Sequence, residues 1–424
     1  MLIVNCSCIL IGQSGNIPPQ SFTPNRPIEA PWPDGIRFGP LRSMVNRLVH
    51  YITHWEVWHW FAKYILIGPA WLLYCIRAKS WWFFTPANPT VTFGGFVGES
   101  KSEIYRQLPL GTYPATSLVT PGNSFGYIET LMKRQGFSFP IVAKPDVGQM
   151  GLMFRKIDSE EHLRQYHRIM TVPYVIQEYV DYPLEVSVFY YRMPGEESGH
   201  ITGFVEKEYL QVSGDAVSTL RELIDKHPQA RFRRKELYGK HESKLKHVLE
   251  VGEKYILSYA LNLSRGGRLI NLSHEIDEKL LGVFDNLSRH ASKFFYGRYD
   301  IKCQSVAELK AGRFTILEFN GAGAEPHHVY SGGFGLFGAC SVLVRHWGIL
   351  YKIARENRRR GVPVWHHESG KHFLAHARQH LRKLKLLDEQ FEFADTVETI
   401  MIPADLMSFA RQYAKALSPG NDIL

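Results

Sequence analysis

Tyr296-Gly-Arg-Tyr-Asp-Ile-Lys302 and Ile316-Leu-Glu-Phe-Asn320 decide the reading of this chain. Alternation places Arg298, Asp300 and Lys302 on one face of a strand, and Glu318 and Asn320 on one face of a second, Thr315 to Asn320. Between them Ala307 to Gly312 holds the turn signal Lys310-Ala-Gly312. One antiparallel register, centred near residue 309, sets Asp300 opposite Glu318 and Arg298 opposite Asn320 together. Side chains so opposed can share a ligand. Facing carboxylates repel unless a cation lies between them. Oxygen donors from Asp300, Glu318 and Asn320 suit Mg²⁺, with Mn²⁺ as the alternative. The competing reading is an exposed ladder of ion pairs, which are common on surfaces and contribute little.

Upstream, Phe139-Pro-Ile-Val-Ala-Lys144 reads as a strand, Pro145-Asp-Val-Gly-Gln-Met-Gly151 as a glycine loop, and Leu152 to Ile157 as a return strand. Glycines let backbone amides approach phosphates closely, and Lys144 would neutralise their charge. Ser159 caps a helix over Glu160 to Ile169, acidic in its first turn. Tyr174 to Val180 is a strand, and Glu185 to Tyr191 with Gly199 to Lys207 forms a hairpin. Thr219 to Lys226 and His274 to Phe295 read as helices, Thr90 to Phe93 as a short strand ending at Gly94-Gly95, and Ser100 to Leu108 as a helix. Residues 336 to 390 are mostly helical. The order is α+β with antiparallel hairpins, not a doubly wound parallel sheet. No Walker A sequence is present. Gly333-Phe-Gly-Leu-Phe-Gly338 matches a dinucleotide fingerprint but lacks the preceding strand, so it reads as a loop before a helix.

The chain has 424 residues, enough for two or three domains, with 45% hydrophobic and 21% charged residues. Its net charge is +9 and its pI about 9.1. The densest basic runs, Arg231-Phe-Arg-Arg-Lys235 and Arg358-Arg-Arg360, lack aromatic interleaving, so no nucleic-acid partner is expected. Cys6, Cys8, Cys75, Cys303 and Cys340 show no ligand spacing and read as free thiols of a cytoplasmic protein. His372, His376 and His380 recur on one probable helix. No carboxylate or cysteine completes a zinc set, so they read as its solvated face.

Residues 1–40 are Pro- and Gly-rich, an extended or disordered lead-in. Residues 41–85 are helical and aromatic, with Trp55, Trp58, Trp60, Trp71, Trp81 and Trp82. Its uncharged run, Tyr64 to Ile76, rises about 20 Å as a helix, short of a membrane span. Gly68-Pro69 should kink or break it, giving a buried hairpin or an interfacial segment. The tryptophans suit the inner face of a membrane or a domain interface equally, and both stay open.

Taken in order, residues 90 to 330 resemble the ATP-grasp superfamily, most closely its D-alanine–D-alanine ligase and carbamoyl phosphate synthetase branches. The resemblance implies two α+β lobes gripping ATP, with an ATP-grasp domain at 126–345, a reduced preceding region at 86–125 and a helical C-terminal extension at 346–424. Lys101 in Gly98-Glu-Ser-Lys101 resembles the first ATP lysine and Lys144 the second. Gly148-Gln149-Met150-Gly151 resembles the loop closing over the phosphates. Gln177-Glu178-Tyr179-Val180 resembles the linker that binds adenine, through Glu178 and the Val180 backbone. Glu185 matches the ribose carboxylate, and Lys207 approaches the phosphates. Arg298 matches the catalytic arginine, and Asp300, Glu318 and Asn320 the metal ligands.

The implied reaction is an ATP-dependent carboxylate–amine or carboxylate–thiol ligation through an acylphosphate, forming ADP and phosphate. Its partners would be a small-molecule carboxylate and a nucleophile. The alternatives are an ATP-grasp small-molecule kinase and a non-catalytic, membrane-associated nucleotide-binding protein. The glycine loop lacks the serines common in D-alanine ligases, and no N-terminal α/β domain of the usual size is legible. Gly321 to His328 follows the metal strand where relatives bind the second substrate, and Arg265-Gly-Gly267 is another candidate contact.

Overall fold

The computed structural model describes residues 60–258, 267–331 and 333–391, with backbone alone at 60–63, 232 and 258. The lead-in 1–40, residues 41–59 with Trp55 and Trp58, the Trp60 side chain, Cys6, Cys8, Arg265 and Gly266, and residues 392–424 lie outside the described residues.

Eleven strands, numbered in chain order, form three antiparallel sheets among the described residues. The five-stranded sheet has the order β11-β10-β5-β6-β9, from Leu184–Tyr191 (β5), His200–Glu208 (β6), Arg268–Asn271 (β9), Tyr296–Cys303 (β10) and Thr315–Asn320 (β11). Tyr299, Ile301 and Cys303 face inward with Val186, Val188, Phe204, Ile316 and Phe319. Leu280, Phe284 and Leu287 of helix Glu278–His290 cover them. That helix starts where the Asp277 side chain accepts from Leu280 N, and ends after Arg289 and His290, both favourable to its dipole. It is shorter than the 274–295 span read from the sequence, because Ser273–Glu275 winds as a separate 3₁₀ turn. Phe284 is fully buried, and Phe284→Ala would remove about 3–5 kcal/mol. The opposite face of β10, by its period of two, carries Arg298, Asp300 and Lys302.

The four-stranded sheet runs β1-β4-β2-β3, from Thr116–Val119 (β1), Ile141–Pro145 (β2), Arg155–Ile157 (β3) and Tyr174–Glu178 (β4). Helices Phe125–Gln135 and Glu160–Ile169 supply Ile128, Met132, Leu163 and Tyr166 to its core. Ser124 and Ser159 cap them, and Gly136 ends the first with a left-handed φ of 70°. Leu384, Leu387 and Phe391, in and just after the distant helix His367–Gln390, complete this core. A small sheet, Leu210–Ser213 (β7) with Lys254–Ser258 (β8), packs under helix Leu220–Lys226, which Thr219 and Glu222 cap reciprocally.

Two sequence readings fail near the N-terminus. The Gly68-Pro69 break is absent: Trp60–Ala78 is one helix running through Pro69. Trp71 packs edge-on against Trp347 at 5.0 Å and Tyr74 stacks on Tyr351 at 5.1 Å, so contact with helix Leu336–Arg359 outweighs the lost hydrogen bond. Thr90 to Phe93 is not a strand either. Thr92–Gly95 winds as 3₁₀, with Phe93, Gly94 and Gly95 all at left-handed φ. A Cβ on Gly95 would sit 2.8 Å from Gly321 Cα, so only glycine allows this approach. Buried Asn88 fastens the turn to the core: its Nδ2 donates to Gly94 O and Tyr296 O, and its Oδ1 accepts from Phe295 N and Tyr296 N.

Candidate functional site

The register read from the sequence is the one observed. Arg298 pairs with Asn320 and Asp300 with Glu318, and a bulge follows between Asp300 and Ile301. Asp300 is the hub of the face. Arg298 donates to both its oxygens at 3.2 Å, Ser187 Oγ donates at 2.8 Å, Lys207 Nζ lies 3.1 Å away and Asn320 Nδ2 3.4 Å away. Burial would raise the Asp300 carboxyl, but Arg298 and Lys207 hold it far below the usual range. Lys207 also reaches Glu185 Oε1 at 3.3 Å. Burial pushes the Glu185 carboxyl up, against Lys207 and with the like charge of Asp300. Burial opposes the charge on Lys207, yet Asp300 and Glu185 raise its pKa.

The four-stranded sheet presents Lys144 from the end of β2. Its Nζ donates to Leu317 O at 3.2 Å and Tyr105 OH at 3.3 Å, so this buried lysine bridges to β11. Burial lowers its pKa to about 8, against the pull of Glu318, Glu185 and Asp146. Lys101 starts helix Lys101–Tyr105; its Nζ donates to Gly148 O at 2.9 Å and lies 4.0 Å from Glu318. Asp146 positions that helix start, accepting from Ser100 Oγ at 2.6 Å and Ser102 N at 2.8 Å. Glu99, Lys101, Tyr105, Gly148 and Glu318 line a cavity of about 10 Å³, room for roughly one water.

The glycine loop is exposed at Gln149, Met150 and Gly151, but it is tied at both ends by helix His367–Gln390. His380 Nε2 meets Val147 O at 2.8 Å. Asp388 accepts from Met153 N and from Arg155, both at 2.8 Å. His380 is therefore buried, which corrects the solvated face read from the sequence; His372 and His376 remain exposed.

The Gln177–Val180 linker is only partly open. Glu178 is exposed, and its N–H donates to Ala115 O at 3.0 Å. Tyr179 lies under Lys156 at 5.0 Å and Lys302 at 5.8 Å. The Val180 carbonyl, expected to be free for a base, accepts from Lys302 at 3.0 Å.

Beyond Arg298 lies the end where Gly321 to His328 was expected to receive a second substrate. Arg298 Nη1 donates to Glu325 O at 3.0 Å. The Glu325 carboxylate accepts from Tyr330 at 2.8 Å and from Tyr64 of the N-terminal helix. His327 Nδ1 is buried without a partner, and burial beside Arg298 and Lys207 holds its imidazole well below the usual range.

Among the described residues no three His, Cys, Asp or Glu side chains converge as a metal cluster. The donor set read from the sequence is two carboxylates and an amide, and its chemistry fits a hard cation best at Glu318. That side chain is 34% exposed and holds only the long contact to Lys101. Asn320 lies beside it. Asp300 can join only by releasing Arg298 or Lys207.

Sequence reasoning missed Glu99 and Tyr64. Glu99 Oε2 is buried without a partner, and burial raises the carboxyl. Its one signal was its place next to Lys101. Tyr64 had no local signal.

No protein-family model matches the chain, and no curated protein matches its sequence. Solved structures give distant likenesses. A bifunctional glutathione synthetase from Pasteurella multocida matches over 58% of this chain at 15% identity and a TM-score of 0.34, covering 36% of its own length. A D-alanine–D-alanine ligase from Bacillus anthracis complexed with ATP matches over 64% of this chain and 68% of its own, at 12% identity and 0.35. The ATP-grasp ligase PsnB, complexed with minimal precursor, matches over 56% and 55%, at 12% identity and 0.29. The chain thus spans about a third of the synthetase. Likenesses at this level decide nothing about function.

Proposed function

We propose that the chain is an ATP-grasp ligase that binds Mg-ATP between the four- and five-stranded sheets and activates a small-molecule carboxylate. The observation carrying this reading is the β10–β11 register, which gathers Arg298, Asp300, Glu318 and Asn320 on one face, with Lys207 on β6 and Lys144 on the facing sheet. Phosphoryl transfer depends on positioning and charge neutralisation more than on covalent chemistry by the protein. Lys144, Lys101 and Lys207 would neutralise the phosphates, and Gly148 to Gly151 would lift to admit them. Glu318 and Asn320 would hold the divalent cation, which supplies charge neutralisation across the phosphates. Phosphates drawing Arg298 and Lys207 toward themselves would free Asp300 as a third ligand. Glu178, Tyr179 and Val180 would border the base, and Glu185 the ribose.

A carboxylate oxygen of the substrate attacks the γ-phosphorus, the bond to the β-phosphate oxygen breaks, and ADP leaves. An amine or thiol then attacks the acyl carbon, gives up its proton, and phosphate departs. Arg298 would stabilise the tetrahedral oxyanion. The experiment is a screen of amino acids, dipeptides and hydroxy acids for ADP and phosphate release. The ligase reading requires equal release of both, dependent on a carboxylate and a nucleophile together. ADP formed with a stable phosphorylated product and no dependence on a nucleophile would replace it with a kinase.

A further inference from the structure

Helix Trp60–Ala78 packs one side on the protein through Ile67, Trp71, Tyr74 and Cys75. Its other side is also apolar. Ile65, Leu66, Leu73 and Ile76 are 42–64% exposed over three turns, and Trp81 just beyond is 47% exposed. A helix that is apolar all round is normally covered on every side. Nothing among the described residues covers this one.

A basic cluster sits at its C-terminal end. Arg77 and Lys79 are exposed. Arg358 donates to Ala78 O at 2.9 Å, and Arg355 lies 5.8 Å from the Tyr351 ring that stacks on Tyr74. Among the described residues none of these four cations pairs with a carboxylate, whereas neighbouring Arg359 and Arg360 both pair with Glu356.

We propose that this face docks on a membrane surface bearing anionic headgroups, with the helix lying in the interface plane. Three physical points select that occupant. The exposed strip, Ile65 to Ile76, runs about 18 Å along the helix by about 10 Å across, well under the roughly 800 Å² per partner of a stable protein interface. Among the described residues no helix is long and apolar enough to cross a membrane, but a helix seated in the headgroup region need not be. Exposed Arg77 and Lys79 at the end of an apolar strip, with Trp81 just beyond, complement anionic lipid. The inference does not depend on the nucleotide reading. It would, however, place the substrate end near the bilayer, since Tyr64 of this helix bonds Glu325.

The test is co-sedimentation of the full chain with phosphatidylcholine vesicles, with and without phosphatidylglycerol. Binding is expected only with phosphatidylglycerol, weakening about fivefold for each of Arg77→Ala and Lys79→Ala and fading with salt. The double variant Leu66→Glu/Leu73→Glu changes only exposed positions, so it should keep the wild-type unfolding midpoint while losing vesicle binding. Binding unaffected by that double variant overturns the proposal. So does a concentration-dependent dimer that the double variant dissolves, which would assign the face to a second copy. A monomer indifferent to both vesicle types also overturns it, and leaves residues 41–59 as the cover.

Discussion

Replacing Asp300 by asparagine keeps its size but removes the one negative charge shared by Arg298 and Lys207. The Asp300 side chain is 6% exposed, Lys207 7% and Arg298 12%, so solvent screens the loss little. Breaking a buried ion pair by deleting one partner costs about 3–5 kcal/mol, because the other charge stays buried. Lys207 keeps Glu185 and Arg298 keeps Glu325 O, which places the expected cost near about 3 kcal/mol, at the low end. Urea unfolding followed by tryptophan fluorescence reads this as a lower midpoint with unchanged slope. The pH dependence has a fixed sign. The folded carboxyl lies below its unfolded value of about 3.9, so its stabilisation is complete above that pH and is lost as pH falls toward the folded value. The gap between wild type and Asp300→Asn should therefore stay constant above about pH 4 and close only below it. A cost under about 1 kcal/mol, the worth of an exposed pair, would refute the buried-hub reasoning.

Lys144 gives a second pH signature. Its folded pKa of about 8 lies below the unfolded value of about 10.4, so the unfolded chain binds more protons between those values and stability should rise with pH across that window. The rise is about 3 kcal/mol at most, and Lys144→Met should abolish it; matching urea midpoints for both proteins at each pH would contradict the assignment. Asp388→Ala should cost about 1–3 kcal/mol by leaving the Met153 amide without its partner. Hydrogen exchange should show that amide, and the glycine loop beside it, opening faster, and unchanged protection would show that the C-terminal helix does not restrain the loop.

What the sequence made legible follows from period and local chemistry. Alternation in 298–302 and 315–320 fixed the pairing because a one-residue slip would turn Arg298 and Asp300 into the core. Ser159 and Thr219 marked helix starts because capping is a local hydrogen bond. The bulge after Asp300 and the short helix Val306–Lys310 inside the expected turn carried no such mark. Contacts between distant segments were out of reach: Ser187 with Asp300, Lys302 with the Val180 carbonyl, Asp388 with Met153. Pro69 misled because its rule is local, while the aromatic packing on Trp347 and Tyr351 that keeps the helix whole is tertiary. His380 misled for the same reason: its stripe looked polar, but the glycine loop lies against it.

Titration of Mg-ATP into the purified full chain, beside Glu318→Ala, tests the metal–nucleotide site most directly. Glu318 is part-exposed and makes only a 4.0 Å contact, so the variant should keep the wild-type fold by circular dichroism and unfolding midpoint. Wild type should bind ATP more tightly with Mg²⁺ than with chelator, and Glu318→Ala should lose that gain together with turnover. Wild type that binds no Mg-ATP, or a variant whose affinity responds to Mg²⁺ as wild type does, would contradict the central claim.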